Sequence, residues 1–238
     1  ASWSLGYGIV SGIQIALTLV LLLTLRLWKE DRAGASEGEA SGASKRSLPE
    51  LLRLPGVPQV MLCFFCYSAL EVTIGMWAAS YCTLVRGIPA TEASAWGSIF
   101  YLGVTAGRLI SGFITFRVND RNMIRLGQMI CAAGILLVAL PIGNAALLPG
   151  LLLLGLGCAP IYPAIIHETP LNFGAENSQG VIGIQMASAY VGTTLMSPLF
   201  GLLGETISFA ILPAYLAIVL LVMFGMAEWL HRRTQPVR

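Results

Sequence analysis

Seven long apolar runs constrain the fold of this chain more than any other feature. Each has about the 17–25 residues that a helix needs to cross a bilayer. Inside the bilayer every backbone N–H and C=O group needs an internal partner, so such runs form α-helices. The runs are approximately Trp3–Leu25, Gln59–Val85, Ala95–Phe116, Leu126–Ile142, Leu147–Ile166, Gly180–Leu203 and Ile207–Leu230. The sequence therefore predicts an all-α membrane protein with seven transmembrane helices.

The low charge content argues against a soluble globular domain. Only 11% of the residues are charged, compared with about 25% in a typical soluble domain. The first run is too long for a signal peptide, and no basic residue precedes it. Because the chain starts at Ala1 instead of a methionine, we expect further sequence upstream.

The uneven distribution of lysine and arginine predicts the orientation in the membrane. Twelve of the 14 basic residues lie in segments that share one side of the membrane if all seven runs span. Arg86 lies on the other side, and Arg108 lies inside a span. Since cytoplasmic segments carry an excess of lysine and arginine, we expect the C-terminus and the long first connection in the cytoplasm.

The long first connection has the composition of a flexible linker. Its sequence KEDRAGASEGEASGASKRS is rich in glycine, alanine, serine and charge, and it shows no apolar periodicity. The LPELLRLPG stretch that follows predicts a short surface helix. We therefore divide the chain into a first transmembrane segment (1–28), a cytoplasmic linker (29–56) and a six-helix domain (57–238).

The six-helix domain contains an internal repeat. YLGVTAGRLISGFI (Tyr101–Ile114) and YVGTTLMSPLFGLL (Tyr190–Leu203) share four residues at one constant offset of 89 positions. That offset corresponds to three spans, and an odd number of spans inverts the second copy. Inverted repeats build many secondary transporters, whose binding site lies near the midplane at the repeat interface.

The same offset aligns Glu71 with Pro160, and both residues are unusual for a membrane helix. A charge at the bilayer centre costs at least about 2.5–3.5 kcal/mol, so Glu71 is expected to face a cavity or a partner. We interpret it as a solute-binding or protonatable coupling group; the alternative is a structural carboxylate bonded to a neighbouring helix. Pro160 and Pro163, with glycines just before them, predict a break or bend in the fifth run.

Several motifs resemble one transporter family. One helix, a charged linker and six further helices, with GRLISGF followed by RVNDRNMIRLG, resemble the second half of a major facilitator superfamily transporter. YSALEVTIGMWAASY and GLGCAPIYPAIIHETP are most similar to its fucose permease-like sugar:proton symporters. The resemblance implies that residues 1–28 are the last helix of an N-terminal half, and that two halves rock around a shared central site.

Candidate site residues follow from depth and chemistry. Tyr67 shares the small, mildly polar face of Glu71. Sugar sites combine aromatic faces with amide and carboxylate groups, which adds Trp77, Tyr81, Tyr162, Gln185 and Tyr190. For each of these five, simple helix packing is the alternative, although a midspan amide such as Gln185 needs a partner.

A second set has gating or structural roles. Arg108 is expected to snorkel or to bind carbonyl groups near the cytoplasmic gate, and not to pair with Glu71, because the two differ in depth. His167 and Glu168 are interpreted as an interfacial pair at the end of the fifth run, with a proton relay as the alternative. The same set includes Gly112, Pro160, Pro163, Arg117 and Arg121.

The sequence offers no candidate for catalysis or for a bound cofactor. The five cysteines lie inside apolar runs, and Cys63 and Cys66 are interpreted as buried thiols. Two histidines make no credible zinc site. Gly103–Gly107 and Gly8–Gly12 have the spacing that permits close helix approach. We expect no enzyme activity, no metal and no nucleic-acid partner.

The leading hypothesis is the C-terminal half of a secondary active transporter in the plasma (inner) membrane. Its solute would be small and polar, with a sugar as the first choice, and it would be moved by alternating access with a coupling proton or, as an alternative, sodium. One rival is a superfamily member that moves another metabolite or a drug. Another is a seven-helix receptor or scaffold.

Overall fold

The computed structural model describes residues 3–24, 46–141 and 143–234. The predicted linker residues 29–45 and the tail 235–238 lie outside these ranges. The chain divides into two units, residues 1–42 and 43–238, and the first contributes one described helix, α1 (Trp3–Thr24).

The second unit consists of one short helix and six long ones. The elements are α2 (Leu48–Leu52), α3 (Val57–Leu84), α4 (Ala90–Ile114), α5 (Asp120–Ala139), α6 (Leu147–Phe173), α7 (Ala175–Thr206) and α8 (Leu212–Arg233). With α1, seven described helices are long and apolar enough to cross a membrane. The prediction of seven transmembrane helices is confirmed, although α4, α6 and α7 extend several residues beyond the apolar runs.

Local chemistry sets where several helices begin. The Ser47 N–H donates to Glu50 Oε2 at 2.9 Å and closes the first turn of α2. The Asn119 side chain accepts a hydrogen bond from the Asn122 N–H at 3.0 Å and caps α5. Gly174 alone separates α6 from α7, with a φ of 82°. A residue with a side chain is strained at that φ, so glycine permits this single-residue turn.

The packing of the six long helices follows the inverted repeat. Helices α3–α5 form the first copy and α6–α8 the second. The second helix of each copy packs on the first helix of the other, so α4 contacts α6 and α7 contacts α3. The third helices follow the same rule, since α5 contacts α6 and α8 contacts α3. The two copies therefore interlock around α3 and α6.

Glycines bring the interlocked helices close together. A Cβ built on Gly103 would collide with the Leu152 carbonyl oxygen of α6, and one on Gly192 would lie 2.6 Å from the Phe65 carbonyl oxygen of α3. Gly103 and Gly192 are the matched residues of the repeat, so they have equivalent contacts. The predicted close approach at Gly103 and Gly107 is confirmed, because Gly107 also lies against α6.

Of the break or bend predicted in the fifth run, the break does not occur. Helix α6 continues through Pro160, Pro163 and Pro170 and ends only at Phe173. A proline removes one backbone hydrogen bond, but α6 is held along its length by α5 and α4. Gly157 in α6 and Gly127 in α5 let these backbones approach closely on the side where Pro160 packs. Neighbouring helices therefore keep the helical path that local sequence disfavours.

Candidate functional site

Glu71 lies near the middle of α3, at the border between its packed and open sides. Its side chain is 25% exposed. Tyr67, one turn earlier, is buried and places its phenol beside the Glu71 carboxyl group. Ser68 and Ala78 on the same side are also buried. Glu71 is thus a partly exposed polar residue at the edge of a side of α3 that is otherwise buried.

Arg108 of α4 contacts Glu71, so the prediction that these residues do not pair is wrong. Arg108 Nη2 lies 3.9 Å from Glu71 Oε1. Backbone depth alone suggested a separation, but helical side chains lean toward the N-terminus of their own helix. Since α3 and α4 are consecutive and run in opposite directions, the Glu71 and Arg108 side chains lean toward each other and span the difference.

An aromatic cluster lies next to this pair, where α3 meets α6. The Tyr162 ring of α6 is 5.1 Å from the Phe64 ring and 6.1 Å from the Tyr67 ring. The Tyr162 hydroxyl donates to Met186 Sδ of α7 at 3.4 Å. Tyr162 is 39% exposed. The structure therefore joins three predicted residues, Glu71, Tyr67 and Tyr162, around the centre of the repeat.

Tyr101 is a residue of this region that sequence reasoning did not propose for the site. A Cβ built on Gly75 would lie 2.5 Å from the Tyr101 hydroxyl oxygen. Gly75 therefore leaves room for the phenol in this position, about one turn beyond Glu71. Tyr101 is 55% exposed. Its match with Tyr190 in the repeat could have drawn attention to it.

Trp77 and Tyr81 lie further along α3 and make contacts within the bundle. Trp77 Nε1 donates to the carbonyl and hydroxyl oxygens of Ser197 in α7, both at 3.1 Å. Tyr81 is buried and donates to the Val138 carbonyl oxygen at 3.2 Å. Arg86 donates to the same carbonyl oxygen and so caps the end of α5. These contacts join α3 to α7 and α5, away from Glu71.

Gln185 and Tyr190 have contrasting positions on α7. Gln185 is fully buried, and its Nε2 donates to Thr169 Oγ1 of α6 at 2.9 Å. Thr169 therefore supplies the partner that a midspan amide needs. Tyr190 is 72% exposed. It occupies the position in α7 that Tyr101 occupies in α4, and both tyrosine side chains are exposed outside the packed core.

A second group of charges lies at one end of the bundle and joins α5, α6 and α8. Arg125 forms a two-point contact with Glu228, with Nε–Oε1 at 2.5 Å and Nη2–Oε2 at 2.8 Å. Glu168 lies 3.6 Å from Arg121 Nε and 3.5 Å from His231 Nε2. Glu168 and His231 are buried. We refer to these five residues as the end cluster.

The interpretation of His167 and Glu168 as a pair at a helix end is wrong. Helix α6 continues beyond them to Phe173. Consecutive helical residues point about 100° apart, so His167 Nδ1 contacts Asp120 Oδ2 at 2.6 Å, whereas Glu168 points into the end cluster. The prediction followed the apolar run, which ends before the helix does.

The other predicted gating residues lie near the same end. Arg117 lies in the exposed turn after α4, and Gly112 has no atom within 4 Å of a built Cβ among the described residues. Pro160 and Pro163 line a cavity of about 390 Å³ where α4, α5 and α6 meet. This cavity also includes Ser111, Thr115, Asn119, Asp120 and His167.

The cysteines are buried within the bundle. All five are free thiols, and Cys131 and Cys158 approach to 3.8 Å between their sulfur atoms. Among the residues that the structure describes, no group of three or more histidine, cysteine or acidic side chains could hold a metal ion.

Comparison with known proteins identifies related sequences. A family model described as Major Facilitator Superfamily matches residues 1–167 and again residues 60–238. An uncharacterized MFS-type transporter of Yersinia pestis is 25% identical over 178 residues, 72% of this chain and 44% of the relative. The MFS-type transporter YcaD of Escherichia fergusonii is 24% identical over 148 residues, 62% of this chain and 36% of the relative.

Solved structures share the fold. FucP, a Major Facilitator Superfamily transporter in the outward conformation, superposes with a TM-score of 0.75 at 20% identity, covering 92% of this chain and 53% of FucP. A peptide transporter POT in complex with alafosfalin superposes with a TM-score of 0.65 at 18% identity, covering 82% of this chain and 41% of that protein. The chain thus spans about half the length of the proteins it matches.

Proposed function

Because this chain belongs to the Major Facilitator Superfamily of integral membrane transporters, we propose that it forms the C-terminal half of a secondary active transporter for a small polar solute. The final helix of the N-terminal half would be α1. The solute class that we propose is a sugar, and the coupling ion is a proton. The chain covers 53% of FucP, which supports a missing half of similar size.

One observation carries the proposal: a carboxylate at membrane depth faces a loosely bound arginine beside an aromatic cluster. Glu71 is 3.9 Å from Arg108, and Tyr67 and Tyr162 lie within the same region. Aromatic rings offer an apolar face to a sugar ring, while carboxylate and phenol oxygens bond its hydroxyl groups. The location at the centre of an inverted repeat is typical of transporter sites.

Proton coupling would act through the charge on Glu71. Ionised Glu71 attracts Arg108, and protonated Glu71 does not, since the attraction requires opposite charges. Proton binding would therefore loosen the contact between α3 and α4 at the level of the site. Such a change biases alternating access only if the two states differ in this contact.

The proposal also covers the orientation of the chain in the membrane and the class of solute. The basic residues favour a cytoplasmic linker and C-terminus in an inner membrane. Two fold neighbours are structures of FucP, and one of them is described as the fucose:proton symporter of Escherichia coli, which supports the choice of a sugar and a proton. Family membership favours a transporter over the seven-helix receptor or scaffold.

A second solute class remains in the proposal, namely a metabolite other than a sugar. The observation that favours it is the fold similarity to peptide transporters, with a TM-score of 0.65. Half of the central site would come from the other half of the protein, and those residues would decide between solute classes.

Uptake measurements on the full-length transporter test the proposal. We expect one or more radiolabelled hexoses to accumulate in proteoliposomes when an inward proton gradient is applied. Glu71→Gln should abolish accumulation and keep the protein folded. Glu205→Gln, at an exposed carboxylate near the end of α7, is the matched control and should transport normally. Unchanged accumulation and unchanged pH dependence in Glu71→Gln would remove Glu71 from the mechanism.

A further inference from the structure

Arg108 has an unusual combination of exposure and weak pairing for a cation within a membrane helix. Its side chain is 64% exposed. The contact with Glu71 at 3.9 Å is close to the longest distance that counts as an ion pair. It is too long for a hydrogen bond, and the guanidinium group donates no other bond within the described part of the chain. Most of its five N–H donors are therefore available.

Arg108 belongs to a strip of exposed polar side chains on α4. Ser98, Tyr101, Thr105 and Arg108 follow one another at spacings of three and four residues, so they share one side of α4. All four are exposed. The exposed apolar residues Leu102, Leu109 and Phe113 form an adjoining strip on the same exposed half of the helix. A cation on the polar side is placed to meet a polar solute.

A guanidinium group with free donors prefers a particular ligand. Its planar fork matches a carboxylate, which accepts two parallel hydrogen bonds. Neutral sugar hydroxyl groups do not require a positive charge, and a desolvated arginine facing only neutral groups is costly. The loose contact of Glu71 shows that a carboxylate fits beside Arg108 without forming a closed pair.

We propose that the solute is a carboxylated sugar, such as a hexuronate or an aldonate, and that Arg108 binds its carboxylate. The solute carboxylate would replace Glu71 as the partner of Arg108, and Glu71 would then take up the coupling proton. The net charge of the site stays unchanged, because the proton taken up by Glu71 balances the negative charge that the solute carboxylate brings. Tyr67, Tyr101 and Tyr162 would meet the ring and hydroxyl groups. This inference rests on the proposed sugar transport.

The test compares acidic and neutral sugars on the full-length transporter. Glucuronate and galacturonate are matched with glucose and galactose, and binding to purified protein is measured by calorimetry. We expect the uronates to bind at least 10-fold more tightly. Hydrogen bonds to charged groups predict that Arg108→Gln weakens uronate binding about 10- to 100-fold and lowers the ratio of uronate to neutral-sugar affinity. Arg108→Lys should retain part of the preference, because it keeps the charge and loses the fork.

Controls separate binding from folding. Arg232→Gln removes an exposed cation near the end of α8 and should leave both affinities unchanged. Each variant is checked for a monodisperse profile and for its melting temperature. A loss of the acidic preference in a folded Arg108→Gln protein supports the inference.

Three other results would overturn it. Binding and uptake of neutral hexoses alone, with no effect of Arg108→Gln, would reject the inference and leave the proposed sugar function standing. Uronate binding that Arg108→Gln does not weaken would also reject it. Absence of uptake for acidic and neutral sugars alike, at every pH tested, would overturn the proposed function and this inference together.

Discussion

Two of the arginine–glutamate pairs among the described residues, Arg125–Glu228 and Arg108–Glu71, differ sharply in geometry. Arg125 and Glu228 meet through two hydrogen bonds of 2.5 and 2.8 Å. Arg108 and Glu71 meet through one contact of 3.9 Å, and Arg108 remains largely exposed. The first pair is held by two hydrogen bonds and joins α5 to α8. The second leaves donors and acceptors free near the centre of the repeat.

This difference suggests a division of labour between the two regions. A two-point pair at a helix crossing has one favoured geometry and therefore acts as a tie. A loose pair exchanges partners at little cost, because little hydrogen bonding is lost. We therefore propose a structural role for the end cluster and a solute- and proton-responsive role for Glu71 and Arg108.

The largest expected effect concerns accumulation of solute by the full-length protein. Glu71→Gln should reduce proton-driven accumulation to background, since the variant cannot exchange a proton at this position. Glu228→Gln should transport at a normal rate per folded molecule. Uptake in proteoliposomes, normalised to correctly inserted protein, measures both. Equal losses in the two variants would erase the functional distinction between the pairs.

Stability should show the opposite order. Glu228→Gln should destabilise the bundle by about 1–2 kcal/mol, because a charged hydrogen-bonded pair is broken where it is only partly screened by solvent. Glu71→Gln should change stability by less than about 0.5 kcal/mol. Melting temperatures in detergent provide the measurement. A greater loss for Glu71→Gln would make its contact with Arg108 the structural one.

Exchanging the two charges within each pair gives a further test of the difference between the pairs. The double variant Arg125→Glu with Glu228→Arg should recover about half or more of the stability that either single change loses, since a pair of opposite charges is restored. The double variant Glu71→Arg with Arg108→Glu should not recover transport, because solute and proton would meet the wrong partners. Recovery of uptake in the second exchange would argue for a simple ion pair.

The smallest effect is expected at the edge of the aromatic cluster. Tyr162→Phe keeps the ring beside Phe64 and removes the hydroxyl that donates to Met186. We expect a few-fold weaker solute affinity and a change in stability below about 1 kcal/mol. Tyr190→Phe, at an exposed residue of α7, is a comparison variant. Affinity titrations that show no difference between wild type and Tyr162→Phe would exclude its hydroxyl from the site.

Much of the architecture could be predicted because it depends on run length and spacing. The seven spans follow from apolar runs, and the inverted repeat follows from matches such as Gly103 and Gly192, which have equivalent contacts in the structure. The C-terminal end of α6 could not be predicted in the same way. The apolar run stops near His167, but polar residues continue the helix because Asp120 and Arg121 of α5 supply partners.

The sequence alone could not tell which candidate residues are packed in the core and which are open to the site. Gln185 and Tyr162 are equally good candidates in the sequence, since both are polar groups at membrane depth. In the structure Gln185 is fully buried and bonded to Thr169, whereas Tyr162 is partly open beside Tyr67. Sequence spacing gives the side of a helix but not the helix that covers it.

By itself the sequence determined the span count, the inverted repeat and a carboxylate at the middle of α3, because each depends on length, offset or residue type along one chain. Tertiary structure decided that α6 stays helical through its prolines and that Arg108 reaches Glu71. Both depend on neighbouring helices. The closely packed backbones of neighbouring helices keep α6 helical. The Glu71 and Arg108 side chains lean toward each other from antiparallel helices, so they meet although the helical rise places their Cα atoms at different depths.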